Sequence, residues 1–171
     1  LTSGDNNVII GTAAGDLLTT GVNGVCIGVN SDIGAISSHA IAIGNTTTST
    51  GFADISIGYL SSSNGGSALC IGRESSTNGS YAIAIGRSAS ATVTSSLAIG
   101  RDSDATVANT VAIGRNAQSR GTNYVAIGYN SGSTSGGANC VAIGANALNS
   151  NDGSGTDCVC IGLDAGTRIT P

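Results

Sequence analysis

Arg73, Arg87, Arg101 and Arg115 lie 14 residues apart along this chain and are four of its six basic residues. Arginine grips carboxylate and phosphate groups bidentately, so four of them stacked at one interval would make a track for an anion or an acidic glycan. They would also repel one another. Glu74 and Asp102, each next in sequence to one of the four, are placed to balance them, within the chain or across a subunit boundary. Charge balance favours the paired, solvated ladder over the ligand track. Tyr59 and Tyr129 occupy the same place in other repeats, with Tyr81 and Tyr124 elsewhere. Aromatic rings on such a surface could stack on sugars, although four dispersed tyrosines more often serve packing.

The other reactive groups are five cysteines, Cys26, Cys70, Cys140, Cys158 and Cys160. Cys140 and Cys158 hold one register in consecutive repeats, which puts their Cα atoms about 5 Å apart, within the span a disulfide tolerates. A bridge there, within or between chains, requires an oxidising compartment. The alternative is that Cys replaces Ala as a small buried hydrophobe. No CxxC pair exists and His39 is the only histidine, so no metal site and no cofactor are expected. With one His and one Glu, general acid–base chemistry has few candidates. Asp102 and Asp104 read as solvated turn carboxylates, and no GxSxG, HExxH or phosphate loop is present. The expectation is a non-enzyme.

The elements that would position these side chains follow from an eleven-fold repeat. An aliphatic residue, a mostly small residue, Ile and Gly recur at Gly11, Gly28, Gly44, Gly58, Gly72, Gly86, Gly100, Gly114, Gly128, Gly144 and Gly162. The spacing is 14 residues from Gly44 to Gly128 and 16 to 18 at both ends. A short fixed period over a whole chain marks a solenoid, here one repeat domain over residues 1–171, read as a segment of a longer fibre. One Phe, no Trp, no Met and 27 Gly leave no bulk for a broad core, yet the regular Ile and Val positions argue against disorder.

Counting from each glycine as position zero, −1 is always Ile and −3 always aliphatic, while −2 is small apart from Ile9. Alternate strand residues share a face. The expectation is therefore an interior ladder at −1, including Ile43, Ile57, Ile71, Ile85, Ile99, Ile113 and Ile127. The small residues at −2, among them Ala84, Ala98, Ala112, Ala126 and Ala142, would then face a neighbouring chain, and the cysteines a neighbouring chain or the layer beside them. Position +3, Ala, Ser or Thr47, begins a second leg, and +6/+7 pairs such as Asn64-Gly65 and Asn78-Gly79 would supply a positive-φ turn. Longer loops at 16–23, 133–139 and 148–156 would project from the stack, which rises about 50 Å over eleven coils.

The runs Ala40-Ile41-Ala42-Ile43-Gly44, Thr110-Val111-Ala112-Ile113-Gly114 and Tyr124-Val125-Ala126-Ile127-Gly128 resemble the NSVAIG repeats of YadA-like heads. Those repeats occur in trimeric autotransporter adhesins and, in similar form, in phage and viral tail fibres. The resemblance covers the whole chain and implies an all-β, left-handed parallel β-roll. It also implies a homotrimer and an extracellular adhesive role at a cell or virion surface, with a host glycan or protein as receptor. The five Cys and the absence of Lys lean toward viral fibres. A tail-fibre shaft that only spaces a receptor-binding tip is the main alternative.

A net charge of −4 gives no nucleic-acid footprint, and no apolar run approaches a membrane span, so no membrane contact is expected within the segment. An ice-binding solenoid would need an unbroken Thr row, and position +6 is interrupted by Asn64, Asn78 and Arg120. A glycan depolymerase is disfavoured by the shortage of His and Glu.

Overall fold

The computed structural model describes residues 4–132, 137–149 and 156–167. Among them the chain is all-β and winds as a parallel solenoid of two-legged coils. The first leg of every coil forms one 11-stranded sheet, running Val8–Ile10, Val25–Ile27, Ile41–Ile43, Ile55–Ile57, Leu69–Ile71, Ile83–Ile85, Leu97–Ile99, Val111–Ile113, Val125–Ile127, Val141–Ile143 and Val159–Ile161. Seven second legs form the other sheet: Asp32–Ile33, Thr48–Ser49, Ser62–Ser63, Ser76–Thr77, Ser90–Ala91, Asp104–Ala105 and Gln118–Ser119. Each strand pairs in parallel with its equivalent in the next coil and the register never slips, as in Ile83↔Leu97, Ala84↔Ala98 and Ile85↔Ile99.

The alternation of faces follows the sequence, but the inside and the outside are exchanged. Ala84, Ala98, Ala112, Ala126 and Ala142, expected at a subunit interface, are fully buried inside the coil of their own chain. The aliphatic residues at −3 and −1 point outward and are half-buried in the regular coils, including Ile43, Ile57, Ile71, Ile85, Ile99, Ile113 and Ile127. Volume is the reason. Two legs of a 14-residue coil lie too close together for branched aliphatics, and interiors must be filled without voids or overlap. The centre is accordingly packed by Ala82, Ala84, Ala89, Ala91, Ala98, Ala105, Ala112 and Ala117. Hydroxyls and thiols at equivalent places are satisfied locally: Ser56 Oγ donates to Ser61 Oγ at 2.9 Å and Cys70 Sγ to Ser75 Oγ at 3.0 Å.

The corners also differ from expectation. Positive φ falls at −5 and +2 in every coil, as at Asn109 (59°) and Asn116 (58°), and also at Ala53 (55°) and Glu74 (58°). Gly51, Gly65, Gly79 and Gly121, expected to supply it, are not among the left-handed residues. Their glycine identity answers to space instead, since a Cβ on Gly65 would overlap the carbonyl of Gly79 one coil away. Asn, Asp and Ser suit the left-handed corners better than bulkier residues do. The corner amides continue the ladder, with Glu74 N–H donating to Tyr59 O at 2.8 Å and Ser88 N–H to Arg73 O at 2.8 Å.

The longer coils have wider interiors. Leu18 lies in the 16–23 insertion expected to project, yet it is fully buried with Ile33, Cys26 and Ala40. Leu148 and Tyr124 fill the corresponding space at the other end. The remaining loop residues 133–136 and 150–155, and Thr134 of the +6 row, lie outside the described residues.

Candidate functional site

Because −1 and −3 face outward, the largest chemical feature of the isolated chain is an aliphatic stripe running the length of the first sheet. At the ends, where one neighbour is missing, exposure rises to 58% at Ile10 and 66% at Ile161. Contiguous apolar surface on this scale marks an interaction site.

Along one rim of the stripe, at +1, stand the four arginines, and the structure pairs three of them. Arg73 Nη2 meets Glu74 Oε1 at 2.9 Å, and Asp102 Oδ2 is shared by Arg87 Nη2 at 3.5 Å and Arg101 Nε at 3.4 Å. The hydrogen bond from Arg73 holds the Glu74 carboxyl below the usual carboxylate range and raises the Arg73 guanidinium in turn. Arg115 lies over the Tyr129 ring, 4.4 Å from its centroid, a cation–π contact. The carboxylates thus come from the same chain, and the geometry is that of a paired ladder. Tyr59 and Tyr81 remain exposed, whereas Tyr124 is buried inside the coil and offers no face to a sugar.

The second sheet presents a different outer surface. Thr48, Ser62, Ser76 and Ser90 at +4 are half-buried, and Thr50, Asn64 and Asn78 at +6 are exposed. Their side chains form axial chains of hydrogen bonds, with Thr48 Oγ1 to Ser62 Oγ at 3.1 Å, Thr50 Oγ1 to Asn64 Oδ1 at 2.5 Å and Asn64 Nδ2 to Asn78 Oδ1 at 3.1 Å. Corner amides do the same, as from Asn130 Nδ2 to Asn146 Oδ1 at 3.0 Å and from Asn146 Nδ2 to Asp164 Oδ1 at 2.8 Å. The sequence reading missed these ladders, although the recurrence of Asn at −5 and +2 was the available signal.

Four of the cysteines, expected to face a neighbouring chain or the layer beside them, turn into the coil, and Cys158 is half-buried. Cys26, Cys70 and Cys140 are fully buried and Cys160 nearly so, and none of the five is in a disulfide. Burial raises the pKa of Cys26, Cys70, Cys140 and Cys160, as desolvation disfavours a thiolate. Among the described residues no group of His, Cys, Asp and Glu could hold a metal ion, and no helix is long and apolar enough to cross a membrane.

Short two-legged coils, a glycine at each strand end and an outward aliphatic stripe define a parallel β-solenoid. Four overlapping stretches, residues 63–89, 78–103, 94–117 and 105–131, match the family model of the YadA head domain repeat (2 copies). The chain also superposes on the crystal structure of the collagen-binding domain of the Yersinia adhesin YadA. The TM-score is 0.62 at 27% identity, over 100% of this chain and 86% of that one. No curated protein sequence matches the chain. Residues 63–131 thus match YadA-like head repeats, and the whole chain shares the fold of that adhesin domain.

Proposed function

We propose that this chain is an adhesive head segment of an extracellular surface fibre, acting as a homotrimer and without catalysis. The observation that carries the reading is the similarity over the full chain to a collagen-binding adhesin domain. The aliphatic stripe supports the trimer: in a lone chain it stays half in water, and packing three copies stripe to stripe would bury it at about 25 cal/mol per Å² of apolar area. Neither match is to a viral fibre, so the tail-fibre alternative gains no support from them.

Assembly through the stripe leaves the second sheet facing outward, with hydroxyls and amides on every strand from Thr48 to Thr92. Such a surface suits an extended ligand that offers backbone carbonyls and amides at regular intervals, and collagen is the first to test. The experiment is solid-phase binding of the purified chain to immobilised collagen, with the molar mass measured by sedimentation equilibrium. A mass about three times the 16.5 kDa of one chain is expected, together with saturable binding that Ser62→Arg plus Ser76→Arg abolishes without changing the mass. A monomer would overturn the assembly. Binding that ignores both substitutions would overturn the assigned face, and no binding would overturn collagen as ligand.

A further inference from the structure

The carboxy-terminal coils hold the only two cysteines that occupy the same register in adjacent coils. Cys26 lies between Ile9 and Ala42, Cys70 between Ser56 and Ala84, and Cys160 beside Ala142. Cys140 and Cys158 each immediately precede the paired residues Val141↔Val159, and Val141 N–H donates to Cys158 O at 2.8 Å. One strand spacing, ~4.8 Å, therefore separates their Cα atoms, inside the range a disulfide spans. The side chains also share an orientation. Cys140 Sγ donates to Ala138 O at 3.1 Å and Cys158 Sγ to Thr156 O at 3.2 Å, each two residues back along the chain. Both pack in one cluster with Tyr124, Ala142 and Cys160.

We propose that Cys140 and Cys158 form an intrachain disulfide that clips the last two coils together. Cys140 is buried inside its own coil, which directs the bridge within the chain. Cys158 is only half-buried and is the thiol an oxidant meets first. With a small-molecule disulfide RSSR as oxidant, the Cys158 thiolate attacks one sulfur and expels RS⁻. Cys140, deprotonated, then attacks Cys158 Sγ in the mixed disulfide and expels the second RS⁻. The two thiol protons leave with the two RS⁻ as two RSH, so the chain is oxidised by two electrons and the reagent is reduced by two.

Among the described residues the strand Val159–Ile161 pairs on one side only, and Val159 and Ile161 are 71% and 66% exposed. The 18-residue separation of the two cysteines encloses the insertion before this strand. Closing a loop of that length removes open states of the chain, by about a hundredfold in population.

Its occurrence on the living cell rests on the extracellular reading, but the chemistry is tested on purified protein, so the two can fail separately. The reduced chain is equilibrated with oxidised glutathione, denatured and titrated for thiols. The count is expected to fall from five to three, and Cys160→Ala, which restores the Ala found at −2 in most coils, is expected to fall from four to two. Cleavage before Asp157 and Asp164 releases the peptide 157–163 only after reduction. Amide exchange at Gly162 slows by about a hundredfold on oxidation, an effect absent in Cys158→Ser. Five titratable thiols, a bridge between chains, or a Cys158–Cys160 link would each overturn the proposal.

Discussion

Gly100 has a φ of 130°, and a Cβ built on it would overlap the carbonyl of Gly114 in the next coil. The same pair of constraints recurs along the glycine row from Gly11 to Gly144, while Gly162 keeps the positive φ (126°) alone. Gly100→Ala is therefore expected to destabilise the chain by about 2 kcal/mol or more, read as a lower midpoint in urea. Ala53 presents the opposite case, holding a φ of 55° with a side chain that gains nothing from it. Ala53→Gly is expected to stabilise by about 0.5–1 kcal/mol, the left-handed penalty of Ala less the extra backbone entropy of Gly. The first of these two constraints is written in the sequence as an invariant Gly. The second is not, because His39, Ala53, Ser67 and Tyr81 share a backbone conformation but no side-chain chemistry.

At the scale of the strand, the consequence of the exchanged faces is a reversal of which substitution harms what. Ala112 is fully buried between two legs of its own coil, so Ala112→Leu overpacks the interior. The expected cost is about 1–3 kcal/mol of fold stability, seen as loss of the β-sheet circular dichroism at a lower temperature. Ile99 and Ile113 sit on the outward stripe of adjacent strands. Ile99→Glu combined with Ile113→Glu places charges where the proposed assembly is dry, and is expected to shift sedimentation to the single chain. If the double substitution left the mass unchanged while Ala112→Leu dissociated the assembly, the assignment of faces would be wrong. The alternation was legible from Val-Ala-Ile; its sense was not, because period 2 fixes which residues share a face and says nothing about which face is inside.

For the whole molecule, a core of Ala, Ser, Thr and Cys buries little apolar surface per residue. In the proposed trimer the outward stripe would carry a large part of the hydrophobic driving force, and folding and association would become one equilibrium. The melting temperature is expected to rise with chain concentration, as linkage requires when only the assembled form is favoured. A melting temperature constant over a hundredfold dilution would mean that the single solenoid is self-sufficient. The arginine rim adds little to this balance, since its ion pairs are exposed and screened by solvent.

By itself, the sequence determined the coil, its period, the parallel stacking and the kinship with adhesin heads, because each depends on a recurrence that 14-residue spacing makes visible. The Cys140–Cys158 register was legible for the same reason. Only the tertiary structure decided that Ala84 is inside and Ile85 outside, that Leu18 fills a wider coil instead of projecting, and that the cysteines point into their own chain. Those outcomes rest on the width of the space between two legs, a distance that no one-dimensional pattern encodes and that rejects the branched side chains a hydrophobicity rule would place there.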